Sequence, residues 1–157
     1  MERILGIDPG SRVTGYGLVD ADRGELAFVA CGVVKTTVGY PLAVRLNEIF
    51  EGINEVVQLH GPTVAAVEEV FLATNANTAI KLGQARGAAV VAVMQNGLAV
   101  NDYSARKIKQ AVVGYGQAEK EQVQHMVRVL LNLRRRPSND AADALAVAIC
   151  HANMARL

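Results

Sequence analysis

The chain has no long hydrophobic run. Its longest uninterrupted apolar candidate, Ala88 to Met94, falls far short of the ~18 residues that would suggest a membrane span. Glu2 and Arg3 lead directly into Ile4-Leu5-Gly6-Ile7, and no small-residue cleavage site follows, so a secretory signal is not expected and a cytoplasmic location is. Cysteine is scarce. Cys31 and Cys150 lie far apart without metal-type spacing, which argues against a disulfide or zinc site and for two buried thiols in a reducing compartment. There is no Gly-x-x-x-x-Gly-Lys-Ser/Thr loop to cradle a nucleotide. The three histidines, His60, His125 and His151, are scattered, and the last two are expected on helix surfaces. No linker, repeat or low-complexity stretch interrupts the chain. Excess charge is missing too, with a net of +1. Its distribution is uneven: residues 1–100 carry seven basic and ten acidic side chains, and residues 101–157 carry nine and five. Such a basic half can hold a polyanion.

A chain of 157 residues, 51% hydrophobic and 20% charged, is expected to form one domain, 1–157, with its own core. The apolar run Glu2 to Asp8 reads as a buried strand stopped by Pro9-Gly10. Thr14 to Val19 and Leu26 to Val38 are β-compatible, with a turn at Asp20 to Gly24, so the three segments predict an antiparallel meander. From Pro41 to His60, Leu42, Leu46, Ile49, Ile53, Val56 and Val57 recur at helical spacing. Arg45, Glu48, Glu51 and Glu55 fall mainly on the other side, and Gly61-Pro62 ends the helix. Strands are predicted at Thr63 to Val70 and Leu98 to Tyr103. Helices are predicted at Asn75 to Asn96, Ser104 to Val113 and Glu119 to Leu133, with a last helix opened by Pro137-Ser138 and capped by Ser138. The order β-β-β-α-β-α-β-α-α-α predicts an α/β domain with a five-stranded mixed sheet, an antiparallel meander plus parallel strands, flanked by helices.

Four carboxylates stand out against this pattern. Asp8 ends a strand that is otherwise almost wholly apolar. Glu68 lies in Val64-Ala-Ala-Val-Glu-Glu-Val70, where alternation puts it on one face with Val64, Ala66 and Val70. An ionised carboxylate buried without a partner costs several kcal/mol, and neither strand carries a nearby cation to offset that, which leaves a metal ion as a candidate. Asp140 and Asp143, at i and i+3 of the last helix, point the same way, opposite Ala141, Leu145, Ala148 and Ile149. Each carboxylate alone has an ordinary explanation: a turn aspartate, an edge-strand glutamate, two residues favoured by a helix dipole. One acidic site accounts for all four. Hard oxygen ligands select Mg²⁺ or Mn²⁺, and two such ions suit phosphodiester hydrolysis.

Five blocks together resemble the RuvC family, the bacterial Holliday-junction resolvases: Ile4-Leu-Gly-Ile-Asp-Pro-Gly-Ser-Arg-Val-Thr-Gly-Tyr-Gly17, Val67-Glu-Glu-Val-Phe71, Lys81-Leu-Gly-Gln-Ala-Arg-Gly87, Lys109-Gln-Ala-Val-Val-Gly114 and Asp140-Ala-Ala-Asp-Ala-Leu-Ala146. They run in order over essentially the whole chain. The resemblance implies an RNase H-like fold, a homodimer, two Mg²⁺ ions per site (Mn²⁺ able to substitute), and paired symmetric nicks in a four-way DNA junction. It implies 5′-phosphate and 3′-hydroxyl ends, and partnership with the RuvAB branch-migration complex. By the same resemblance Asp8, Glu68, Asp140 and Asp143 are the catalytic metal ligands, Phe71 is the aromatic at the junction centre, and Lys109 and Lys120 are basic residues near the scissile strand. Family members often carry a basic residue two or three positions after the aromatic; here Ala73 and Thr74 stand there, which puts the loop's phosphate contact in question.

The helix from Asn75 to Asn96 is apolar or small almost all round between Leu82 and Met94, so it is expected to supply the dimer contact, with Ala85 and Ala89 beside Gly83 and Gly87 letting two helices approach. Three other readings are open to the same sequence. One is an RNA-processing nuclease of the same fold. Another is a junction-binding protein without catalysis, which has no reason to keep four carboxylates facing a polyanion. The third is a nucleotide-binding ATPase of the actin and sugar-kinase type, which would need a second such domain.

Overall fold

The computed structural model describes residues 1–69 and 75–155, so Phe71, Ala73 and Thr74 lie outside the described residues. Ten elements follow in the anticipated order: β1 (Glu2–Asp8), β2 (Val13–Asp22), β3 (Glu25–Lys35), α1 (Leu42–His60), β4 (Val64–Glu68), α2 (Ala76–Gln95), β5 (Val100–Tyr103), α3 (Ala105–Val113), α4 (Lys120–Leu130) and α5 (Asn139–Met154). The strands form one mixed sheet in the order β3-β2-β1-β4-β5. The meander β1-β2-β3 is antiparallel, while β4 and β5 join parallel to β1. This is the arrangement of an RNase H-like sheet. Strand β2 runs on to Asp22, further than the apolar pattern suggests, and the expected turn at Asp20 to Gly24 shrinks to Arg23-Gly24, because Asp20 and Asp22 keep their ladder pairing although Asp22 is exposed.

Side-chain alternation sorts the core into two layers. Ile4, Val64 and Ala66 face α3, α4 and α5, while Leu5, Ile7, Ala65 and Val67 face α1 and α2. Helix α5 is buried along almost its whole length, from Ala141 and Ala142 through Ala144 to Ala152. It reaches the sheet because two facing strands lack side chains where it crosses. A Cβ on Gly6 would overlap the Ala144 carbonyl oxygen, and one on Gly15 would overlap that of Asp140. Ser138 caps α5 as expected, its hydroxyl accepting from the Ala141 N–H at 3.3 Å. Gly61 closes α1 in the left-handed region at φ 60°.

Two expectations change. Ala85 and Ala89 are fully buried against the chain's own α1 layer, so they are not available to a second copy. The periodicity could not show this, because a helix of small residues offers little contrast between its faces. The outer side of α2 carries the exposed Ile80, Gln84, Val91 and Met94 with the half-buried Gly87 among them, and a Cβ on Gly83 or Gly87 would meet nothing. Helix α4 also stops at Leu130 rather than Leu133, where Asn132 adopts a left-handed conformation at φ 51°.

Candidate active site

Asp8 and Glu68 come to the same end of the sheet because β1 and β4 are neighbouring parallel strands, in register from Ile4 opposite Val64 to Ile7 opposite Val67. Counting by twos from Ile4 and from Val64 puts both carboxylates on the α5 side. The N-terminus of α5 lies over Gly15, which is paired with Asp8, so Asp140 and Asp143 arrive from above the same spot. Residues from the first strand, the fourth strand and the last helix thus gather at one end of the sheet. That is the convergence the sequence suggested for Asp8, Glu68, Asp140 and Asp143.

The environment is hostile to negative charge. Burial first, then the Glu68, Asp143 and Asp140 carboxylates, push the Asp8 carboxyl up to about 8. Glu68 is raised by burial as well, although its hydrogen bond with Asp8, in which the protonated Asp8 donates, and the nearby lysines Lys109 and Lys120 act against the rise. Burial also raises Asp143, and Lys120 partly offsets it with its ammonium 3.4 Å from the carboxylate. Asp8, Glu68 and Asp143 are all raised by their shared burial. Even so, among the described residues no group of three or more His, Cys, Asp or Glu side chains is drawn tightly enough to grip an ion.

Beside the carboxylates opens a cleft of about 220 Å³, lined by Glu68, Asp143, Lys109, Lys120 and the apolar Ile108 and Val123. Helix α3 brings Lys109 and the first residue of α4 is Lys120, so both lysines predicted from the sequence stand at the mouth of the acidic site. Acidic floor and basic wall suit a ligand that carries negative charge and binds cations at once, as a phosphodiester does.

Some contributors were not visible beforehand. Arg45, expected on the solvated side of α1, reaches back across the meander. Its guanidinium donates to the Ser11 carbonyl at 2.7 Å and to the Thr36 hydroxyl at 3.2 Å, and Thr36 donates to Ser11 as well, at 2.9 Å. Fully buried Thr14 donates to the Gly10 carbonyl at 3.0 Å. Together they hold the loop that follows Asp8. His151 is a correction: it is buried, not on a helix surface, and its Nδ1 lies 2.7 Å from the Tyr103 hydroxyl. Its partner stands on a separate strand 48 residues away, so no local pattern could reveal it. Cys150 is buried, Cys31 is half-buried, and both are free thiols.

The chain's likenesses agree with this site. The family model for the crossover junction endodeoxyribonuclease RuvC matches residues 4–151. The RuvC of Acinetobacter baumannii (strain AYE) is 56% identical over 153 residues, covering 98% of this chain and 84% of that protein. That of Hahella chejuensis is 54% identical over 151 residues, covering 96% and 87%. Among solved structures, T. thermophilus RuvC in complex with Holliday junction substrate superposes with a TM-score of 0.94 at 37% identity, covering 99% of this chain and 96% of that one. The yeast mitochondrial Holliday junction resolvase Ydc2 shares the fold at a TM-score of 0.69 and 11% identity, over 97% and 79%. With a family match over nearly its full length and an acidic site at the end of β1 and β4, this chain belongs to the RuvC family of crossover junction endodeoxyribonucleases.

Proposed function

We propose that this chain resolves four-way DNA junctions by cutting two strands symmetrically, with Asp8, Glu68, Asp140 and Asp143 as the ligands of two Mg²⁺ ions. The observation that carries the reading is a set of carboxylates held in poor solvent, one of them raised to about 8, beside two lysines. All four offer hard oxygen donors, which fit Mg²⁺ or Mn²⁺ and suit zinc poorly. Bound ions would supply an activated water and stabilise the leaving 3′-oxygen, giving 5′-phosphate and 3′-hydroxyl ends. The chain's own residues do the rest. Asp8, raised by burial and by its neighbours' charge, must lose its proton before it can act as an anionic ligand, and Lys109 and Lys120 draw the phosphodiester against the acidic floor. Phe71, three residues beyond Glu68, stacks on an unpaired base at the junction centre; the competing reading is a core aromatic.

Symmetric cutting requires two sites related by a two-fold axis, so the working form is a homodimer. The stripe Ile80, Gln84, Gly87, Val91 and Met94 on α2 supports this, since its spacing of alternating four and three residues is the seam of a paired helix. Partnership with a RuvAB branch-migration complex and a cytoplasmic location rest on the family resemblance.

A synthetic four-way junction incubated with and without Mg²⁺ tests the reading. Paired nicks at symmetric positions are expected with Mg²⁺ only. Asp140→Asn should still bind the junction and no longer cut it. Near-normal cleavage by that variant would overturn the four-ligand assignment, and preferential cutting of a structured RNA would move the chain to an RNA-processing role.

A further inference from the structure

On the far side of the α5 N-terminus from the lysine cleft, the loop between α4 and α5 forms a second groove, of about 390 Å³. Its basic wall is Arg134, Arg135 and Arg136, and its floor is apolar, with Phe28 and Cys31 from the edge strand β3 and Leu133 from the loop. No acidic side chain lines it, and among the described residues none of the three arginines is ion-paired with a carboxylate. Three exposed guanidinium groups on consecutive residues make a concentrated positive patch that favours an anion.

The loop is held in place. Arg136 donates to the Gln124 side-chain oxygen at 3.2 Å, and the buried Gln124 in turn donates to Asn139 at 3.1 Å, the residue before Asp140. Arg134 and Arg135 are exposed beside this tether. The groove also has a definite relation to the acidic site. Asp8 pairs with Gly15 and Gly15 with Val33, while Cys31 lies two residues back along β3. Two strand spacings across and two residues along place Cys31 roughly 12 Å from Asp8. Both cleft and groove open on the α5 side of the sheet.

We infer that this groove is a second DNA-backbone site, in which Arg134 and Arg135 hold phosphates of the duplex arm leaving the acidic site. The inference rests on the junction-cutting function proposed above. A separation of roughly 12 Å corresponds to three or four base pairs at ~3.4 Å per step. Guanidinium forks suit phosphate oxygens, and the apolar floor at Phe28 suits the sugar edge of the strand. The cleft lysines and the loop arginines then flank the cut, one group on each side.

The test compares the wild-type protein with Arg134→Ala/Arg135→Ala, which leaves the Arg136 tether in place, and with Arg134→Lys/Arg135→Lys. Junction affinity is measured across a salt series in Ca²⁺, and backbone contacts are mapped by ethylation interference. The double alanine variant should flatten the log–log salt dependence by up to about 1.8 units, from two lost phosphate contacts at ~0.9 each. Interference three to four phosphates from the cut should vanish in that variant, while interference at the cut itself stays. The lysine pair should restore most of the slope. An unchanged slope and an unchanged interference pattern would overturn the inference, including the case in which the loop serves a protein partner instead. If the wild-type protein neither binds nor cuts the junction, the proposed function fails first, and the two failures are thereby told apart.

Discussion

Replacing Asp8 with Asn should make the metal-free protein more stable while removing its cleavage. The Asp8 carboxyl is raised from 3.8 to about 8 in the fold. Between those values the folded chain holds a proton that the unfolded chain has released, so stability falls as pH rises through the window. Four units at 1.36 kcal/mol each set an upper limit of about 5 kcal/mol near pH 7.5. Asparagine keeps the shape and carries no charge. In EDTA at about pH 7.5 the variant should therefore gain about 2–5 kcal/mol, or roughly 5–15 °C in Tm for a chain of this size. At about pH 5 the gain should shrink to a third or less, because little of the window has been crossed. Thermal denaturation by circular dichroism at the two pH values, with and without Mg²⁺, measures this. Mg²⁺ should raise the wild-type Tm more than the variant's, and more at the higher pH, since its ligands bind as anions. An Asp8→Asn protein no more stable than wild type in EDTA at about pH 7.5, or one whose gain is the same at both pH values, would refute the reasoning.

Further changes probe other parts of the molecule. Lys120→Ala removes the ammonium beside Asp143; it should slow cleavage and flatten the salt dependence of junction binding by roughly 0.9 units per lost phosphate contact, and an unchanged rate would remove Lys120 from the site. Gly87→Glu should yield folded monomers of 16.7 kDa by light scattering, because its Cβ meets nothing within the chain. Glutamate suits a helix better than glycine by roughly 0.5–1 kcal/mol, so an unfolded product would contradict the placement of this face. Arg45→Ala should lower cleavage more than junction affinity, since it frees the loop behind Asp8 without touching a metal ligand. Equal loss of both would assign Arg45 to DNA contact instead.

How much of this was legible follows from the range over which each signal acts. The carboxylates were visible because charge inside an apolar strand is a local contradiction, readable from Ile4 to Asp8 and from Val64 to Glu68 without knowing the partners. The α5 pair was visible for the same reason, since the remainder of that helix is almost wholly core. The strand and helix order followed from periodicity, as did the Ser138 cap. The inner face of α2 was not legible, because alanines and glycines on every side leave no contrast to read. Neither Arg45 nor His151 could be placed, for each acts through a partner on a distant element, Ser11 and Tyr103 respectively. Arg134 to Arg136 counted in the sequence only toward the basic balance of residues 101–157, and the apolar floor supplied by β3 turns them into a groove.

The docking of α5 through Gly6 and Gly15 ties the beginning of the chain to its end. Two of the four carboxylates enter with the last helix, and contacts of such sequence separation form slowly. A chain emerging from the ribosome carries its first strand long before its last helix, and until then the sheet has half an acidic site and an uncovered α5-side face. On the four-ligand reading proposed above, hydrolytic competence would arrive only when α5 docks. The two missing side chains that let the helix settle thus also decide when Asp140 and Asp143 can join Asp8 and Glu68.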